Sequence, residues 1–172
     1  MNINLKDKIR DIQDFPEKGI LFRDITTLLQ DKEAFITAVD EMKKMVEGYE
    51  FDLIVGPESR GFIVGTPLAY ATGRGFVPIR KQGKLPYKTI RYEYDLEYGS
   101  DILEIHMDAI KEGQKVIIVD DLLATGGTIL STIKLVEQLG GEVAGVFVMI
   151  ELLDLKGRER LEDYKVNSLL QY

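Results

Sequence analysis

The sequence predicts an α/β domain, a single domain with a mostly parallel central sheet flanked by helices, plus a flexible hood. Apolar, largely β-branched runs at residues 53–55, 76–79, 116–119 and 143–150 alternate with segments of helical apolar spacing. Glycine- or charge-rich turns follow three of these runs, at residues 56–61, 80–84 and 120–128. Strand–helix–strand alternation covers a parallel sheet on both faces, and ligand sites in such sheets lie beyond the strand C-terminal ends, where those three turns can converge.

Taken in order, Leu5, Ile9 and Ile12 predict a short amphipathic helix closed by Pro16 and Gly19. Phe35, Val39, Met42 and Val46 mark a longer helix that Gly48 terminates. Residues 53–55 form a short buried strand, and a turn at 56–61 leads into a helix running to Gly73. Residues 76–79 are the next strand, although Pro78 sits within it. From Gln82 to Ser100 there are glycines, one proline and several tyrosines without helical periodicity, which predicts a mobile hood with β-ribbon edges over about 82–106. Residues 116–119 and 143–150 complete the strands, separated by a helix carrying Ile129, Ile133 and Val136. There is no internal repeat, low-complexity tract or linker, so residues 1–172 are expected to share one core.

Composition narrows the function. The chain has no cysteine, which excludes a disulfide framework, thiolate chemistry and a cysteine-ligated zinc site. Its first ten residues lack the apolar run of a signal peptide, and no stretch has the length of a membrane span, so the expected address is the cytoplasm, away from membranes. A net charge of −7 argues against general nucleic-acid binding. The charge is uneven: Arg80, Lys81, Lys84, Lys88 and Arg91 form a run without an acid, followed by Glu93, Asp95, Glu97, Asp101, Glu104 and Asp108. The basic run reads either as a local anion site or as a solvated loop.

The most informative stretch is Val116-Ile-Ile-Val-Asp-Asp-Leu-Leu-Ala-Thr-Gly-Gly-Thr128. A buried strand is expected to end at Asp120 and Asp121, and a glycine-rich turn then opens a helix, which aims backbone N–H groups at a phosphate. Carboxylates repel phosphate but accept hydrogen bonds from a diol, so the pair suits sugar hydroxyls. The stretch reads as a ribose 5-phosphate cradle, with a buried strand and solvated aspartates as the plainer alternative. A nucleotide P-loop requires a lysine after the glycines, and none follows Gly126-Gly127. A dinucleotide fingerprint is also missing.

Further motifs occur in order around this one: Phe15-Pro16, Gly19-Ile-Leu-Phe-Arg-Asp-Ile-Thr26, Gly56-Pro-Glu-Ser-Arg-Gly-Phe62, Arg80-Lys-Gln-Gly-Lys-Leu-Pro86, Leu96-Glu-Tyr-Gly99, Leu103-Glu-Ile-His106, Leu155-Lys-Gly-Arg158 and Ser168-Leu-Leu-Gln-Tyr172. As an ordered set spanning almost the whole chain, they resemble the adenine-specific type I phosphoribosyltransferases. The resemblance implies transfer of a phosphoribosyl group from phosphoribosyl pyrophosphate to adenine, giving AMP and pyrophosphate in purine salvage. It also implies a homodimer and Mg²⁺ held through substrate and water, with no direct protein ligands.

By the same resemblance, Asp120 and Asp121 hold the ribose hydroxyls, and Ala124, Thr125, Gly126, Gly127 and Thr128 wrap the 5-phosphate. Glu58, Ser59, Arg60 and Gly61 form the pyrophosphate loop, to which Arg80, Lys81 and Lys84 add charge, with Arg80 reaching toward a neighbouring subunit's site. Leu21, Phe22 and Arg23 resemble the adenine pocket, with Leu152 closing the opposite face. Glu97 and Tyr98 resemble the catalytic pair of the hood, and Arg60 joins them as a catalytic group. Two roles stand open for Glu97, proton acceptor from the base or organiser of hood closure. His106, the only histidine, is left to a structural or phosphate-side role. Ala124 stands where many 6-oxopurine enzymes carry aspartate, which favours adenine. The competing functions are a xanthine or 6-oxopurine phosphoribosyltransferase and a non-catalytic regulator that senses phosphoribosyl pyrophosphate.

Overall fold

The computed structural model describes residues 3–95 and 100–172. The chain divides into two compact units, Met1–Glu41 and Met42–Tyr172, with the division falling inside one helix.

In the first unit a 3₁₀ turn over Leu5–Lys8 precedes strands β1 (Arg10–Gln13) and β2 (Leu21–Asp24). They pair antiparallel, with Ile12 opposite Phe22 and Arg10 opposite Asp24. This corrects the helix expected from Leu5, Ile9 and Ile12: one 3₁₀ turn is all that forms. Pairing of residues 10–13 with β2 claims their backbone groups, and tertiary pairing of this kind overrides a weak local helical pattern. Helices α1 (Thr26–Gln30) and α2 (Lys32–Val46) follow. The Asp31 carboxylate accepts hydrogen bonds from the Glu33 and Ala34 amides, capping α2. The fully buried stripe of α2 is Ala34, Ala38, Met42 and Val46, with Phe35 and Val39 half-buried beside it. Past its end Gly48 adopts φ +88°, as expected for a glycine stop.

The second unit is built on a seven-stranded sheet ordered β5-β6-β4-β3-β7-β8-β9. Its strands are β3 (Leu53–Pro57), β4 (Gly75–Lys81), β5 (Thr89–Asp95), β6 (Ser100–His106), β7 (Lys115–Leu123), β8 (Glu142–Glu151) and β9 (Val166–Gln171). Strands β4, β3, β7, β8 and β9 run parallel, and β5–β6 is an antiparallel ribbon joined to β4 at Arg80 and Lys81. At Pro78 one side of β4 therefore has no partner strand among the described residues, which is where a sheet tolerates proline. Helix α3 (Arg60–Thr72) follows β3 and α4 (Gly127–Gln138) follows β7. Val116, Ile118, Val146 and Val148 pack with Ile129, Ile133 and Val136 of α4. The alternate residues Ile117, Val119, Phe147 and Met149 are buried too, so the strands are covered on both faces as parallel strands require. Among the described residues no helix is long and apolar enough to cross a membrane.

Two departures from expectation bear on function. Strand β7 does not stop at Val119 but continues to Leu123, with Asp120 opposite Val148 and Leu123 opposite Glu151 of β8. The aspartates are thus inside a strand, because β8 carries the ladder onward after β3 has ended. Strand β9 was not expected: Val-Asn-Ser-Leu-Leu-Gln mixes polar and apolar residues and is only half-buried at the sheet edge.

Asp24 is buried at the end of β2, where it accepts hydrogen bonds from the Thr26 amide (3.0 Å) and hydroxyl (2.7 Å) and from Arg10 Nη2 (2.6 Å). The Thr26 bonds first and Arg10 after them outweigh burial and pull its carboxyl from 3.8 down to about 2. A depressed carboxyl stabilises the fold above its ordinary pKa, and that contribution is lost as pH falls through the folded value. Denaturation measured against pH is expected to show stability falling between about pH 4 and pH 2, and Asp24→Asn is expected to flatten that stretch of the profile.

Candidate active site

A cavity of about 240 Å³ opens where β3 and β7 feed their helices, lined by residues 58–60 and 120–129. It lies wholly within the second unit. The C-terminal end of β3 delivers Glu58 and Ser59 to the start of α3, which carries Arg60 in its first turn. Gly61 is required there, since a methyl group on it would stand 2.9 Å from Asp120 Oδ1 and 3.0 Å from Pro57 Cδ. Gly126, at φ +85°, sets the entry of α4, whose first-turn amides have no intrahelical acceptors and border the cavity. The structure therefore brings together Glu58, Ser59, Arg60, Asp120, Asp121, Ala124, Thr125, Gly126, Gly127 and Thr128 around one space.

Both aspartates are buried, Asp120 at 8% and Asp121 at 4% exposure. Asp120 Oδ1 accepts from the Asp121 amide at 2.8 Å. Asp121 Oδ2 lies 2.9 Å from Arg60 Nε, a charge pairing without an aligned hydrogen bond. Burial, then the charge of Asp121, pushes the Asp120 carboxyl well above the usual range. Burial also pushes Asp121 up, against the pull of Arg60. Such a pair holds less compensating charge than it needs and favours hydroxyl donors or a hydrated cation. Among the described residues no three His, Cys, Asp or Glu side chains gather to bind a metal directly.

The expected pyrophosphate cations stand next to this cavity but do not line it. Lys84 Nζ donates to Glu58 Oε2 at 2.6 Å, the Lys81 amide donates to Oε1 at 2.7 Å, and Arg80 Nε lies 3.3 Å from Oε1. Burial opposes ionisation of Glu58, but these partners, Lys84 foremost, outweigh it and hold the carboxyl below its usual range. Lys81 Nζ instead pairs with Asp101 at 3.0 Å. Glu58 is thus a counter-ion for the neighbouring cations, not a group suited to touch an anion itself.

Leu21, Phe22 and Arg23 lie on β2 of the first unit, where Phe22 meets Phe15 edge to face at 5.1 Å and Arg23 pairs with Asp11. Leu152 follows β8 in the second unit, its amide donating to Leu123 O at 3.0 Å. Glu97 and Tyr98 lie outside the described residues. His106 ends β6, where its Nε2 accepts from the Tyr87 amide at 3.4 Å, a contact within the β-ribbon region. One residue that motif reading missed is Tyr94 on β5, whose hydroxyl is 3.4 Å from Thr128 Oγ1 and 3.5 Å from Asp101 Oδ2. Only the sheet topology brings Tyr94 to the turn, and no spacing in the sequence signals it.

Residues 25–171 match the model of the phosphoribosyl transferase domain. The chain is 66% identical to the adenine phosphoribosyltransferase of Acetivibrio thermocellus, over 99% of this chain and 100% of that one. The chain belongs to the adenine phosphoribosyltransferase family. A second relative, from Caldicellulosiruptor bescii, is 60% identical over 99% of this chain and 97% of its own. Among solved structures, the enzyme of that name from Thermoanaerobacter pseudethanolicus superposes with a TM-score of 0.96 at 56% identity, covering 98% of each chain. The Saccharomyces cerevisiae enzyme, solved with an imino-altritol bisphosphate and adenine, superposes at 0.91 with 42% identity over 96% of each chain.

The electrostatics of the pair can be checked without any ligand. Carboxyl-carbon NMR titration is expected to place Asp120 above the ordinary carboxylate range. Asp121→Asn is expected to lower it, because the substitution removes the like charge that opposes ionisation.

Proposed function

We propose that the protein transfers the 5-phosphoribosyl group of phosphoribosyl pyrophosphate to adenine, releasing AMP and pyrophosphate. The observation that carries this reading is one cavity in which paired, buried carboxylates face a glycine-rich helix entry, in a chain 66% identical to an adenine phosphoribosyltransferase. In the reaction the bond from the anomeric carbon to pyrophosphate breaks as the bond to adenine N9 forms, and N9 gives up its proton. The sugar passes through oxocarbenium-like charge, so the work is to orient the reactants and stabilise the leaving anion.

The roles follow from the chemistry of each group. Asp120 and Asp121 accept the ribose hydroxyls, and the amides at the start of α4, with the Thr125 and Thr128 hydroxyls, hold the 5-phosphate. Arg60, at the N-terminus of α3, meets the departing pyrophosphate, and Arg80, Lys81 and Lys84 raise the local positive potential. Magnesium, held through substrate and water, would supply further positive charge to that leaving group. Phe22 stacks on the purine, and backbone groups at Leu21 and Arg23 read its polar edge. Glu97, beside Tyr98 in the hood, takes the N9 proton or positions the base. Ala124 borders the cavity without a polar side chain, which suits adenine better than a 6-oxopurine. The enzyme is read as a cytoplasmic homodimer, a reading supported by family membership.

The direct test is product analysis after mixing the protein with phosphoribosyl pyrophosphate, magnesium and, separately, adenine, xanthine, hypoxanthine or guanine. AMP formed with adenine, in preference to the other nucleotides, is the expected outcome. Turnover with xanthine alone, or none at all, would reject the proposal. Phe22→Ala is expected to weaken adenine binding roughly 5- to 150-fold, the scale of about 1–3 kcal/mol for base–aromatic stacking, while phosphoribosyl pyrophosphate affinity stays near wild type. Glu97→Gln is expected to slow the single-turnover rate by roughly 10²–10⁴-fold if Glu97 is the base. A wild-type single-turnover rate across pH would leave it only a positioning role.

A further inference from the structure

A segment outside the proposed reaction touches the phosphate turn main chain to main chain. A Cβ on Gly157 would lie 2.2 Å from the Ala124 carbonyl oxygen and 2.8 Å from Leu123 Cδ1. Conversely, a Cβ on Gly126 would lie 2.6 Å from the Gly157 carbonyl oxygen. Neither position has room for a methyl group. At Gly126 the positive φ also demands glycine, whereas at Gly157 it is the contact alone.

What holds Gly157 in place is its neighbour. Arg158 donates from Nε to Glu151 Oε1 at 2.9 Å, from Nη2 to Glu151 Oε2 at 2.6 Å, and from Nη1 to the Val166 carbonyl at 2.6 Å. Glu151 ends β8 opposite Leu123, the residue before Ala124, and its side chain is only 4% exposed. It also accepts from Ser168 Oγ at 2.7 Å and Gln171 Nε2 at 3.3 Å. One buried carboxylate with four side-chain donors therefore ties the end of β8, strand β9 and the 157–161 turn to the strand that leads into the phosphate turn. A bidentate arginine–carboxylate pair fixes both distance and orientation, which a lysine cannot do.

We infer that Glu151, Arg158 and Gly157 are positioning residues that fix the shape of the Ala124–Gly126 turn and thereby its affinity for the sugar 5-phosphate. The inference rests on reading that turn as the phosphate cradle. None of the three lines the cavity, so they act through the turn, whose displacement costs aligned amide donors to the phosphate first.

The test combines calorimetric titration of ribose 5-phosphate with steady-state kinetics, using circular dichroism to confirm folding. Gly157→Ala is expected to cost roughly 10- to 100-fold in ribose 5-phosphate affinity, the scale of an angstrom-sized misplacement, and to raise KM for phosphoribosyl pyrophosphate more than KM for adenine. Arg158→Ala is expected to show the same selectivity, with Arg158→Lys recovering part of the loss. Wild-type affinity in a folded Gly157→Ala variant would overturn the inference. Should that variant fail to fold, Arg158→Lys decides: a selective loss for the sugar phosphate supports the inference, and equal losses for both substrates overturn it. A wild-type protein that does not bind ribose 5-phosphate would instead refute the cradle reading itself.

Discussion

Two adjacent carboxylates buried at the end of a central strand set the terms for everything around them. Burying an ionised carboxylate costs several kcal/mol unless neighbours compensate. Asp120 receives the Asp121 amide, and Asp121 faces Arg60 Nε at 2.9 Å. That compensation needs α3 to begin close to β7, which needs glycine at position 61, because any Cβ there would press on Asp120. The compensation is incomplete: both carboxyls remain raised by burial. The pair is therefore under electrostatic demand, which donors or positive charge in the cavity would relieve.

The surroundings of Glu58 work by the opposite balance. Glu58 has an excess of positive partners, with Lys84, the Lys81 amide and Arg80 all directed at one carboxylate, which stays ionised although mostly buried. Its effect is to hold two cations at a fixed place near the cavity edge. Surface lysines held this way lose little further freedom when an anion arrives, so the potential they create is preorganised. The same carboxylate moderates that potential, since any anion there competes with it. Acid next to acid at Asp120 and Asp121, and acid among bases at Glu58, give the cavity and its edge different electrostatic character.

Contiguity decided what the sequence revealed. The acid pair and the glycine-rich helix entry were legible because they sit in nine consecutive residues from Asp120 to Thr128, at the end of one strand and the start of one helix. The parallel sheet was legible for a similar reason, since fully buried strands read as unbroken apolar runs. Where local pattern and tertiary pairing disagreed, the pattern failed. Leu5, Ile9 and Ile12 have helical spacing, yet residues 10–13 pair with β2. Strand β7 extends past its apolar run because β8 continues beside it, a fact held in another part of the chain. Strand β9 is a half-buried edge with polar residues, the case in which periodicity carries least information. Tyr94 and Gly157 reach the site through folding alone. Gly157 lay inside a recognised motif, but nothing in that motif says which backbone it must touch.

That last gap has a physical reason. A turn such as Ala-Thr-Gly-Gly-Thr exposes amides well because it has little side chain in the way, and for the same reason it has little with which to hold itself. Glycine loses more conformational freedom on folding than other residues, so a glycine-rich cradle left alone would sample many shapes. Its order must come from neighbours. Here they are the Gly157 backbone on one side and, on the other, the Tyr94 ring, within 3.5 Å of where a Gly127 Cβ would stand. Tyr94 belongs to the β5–β6 ribbon and its hydroxyl reaches Thr128, so the ribbon and the glycine-rich turn share a contact. The turn is thus shaped from outside its own motif, by one segment anchored through a buried ion pair and another carried on the β5–β6 ribbon.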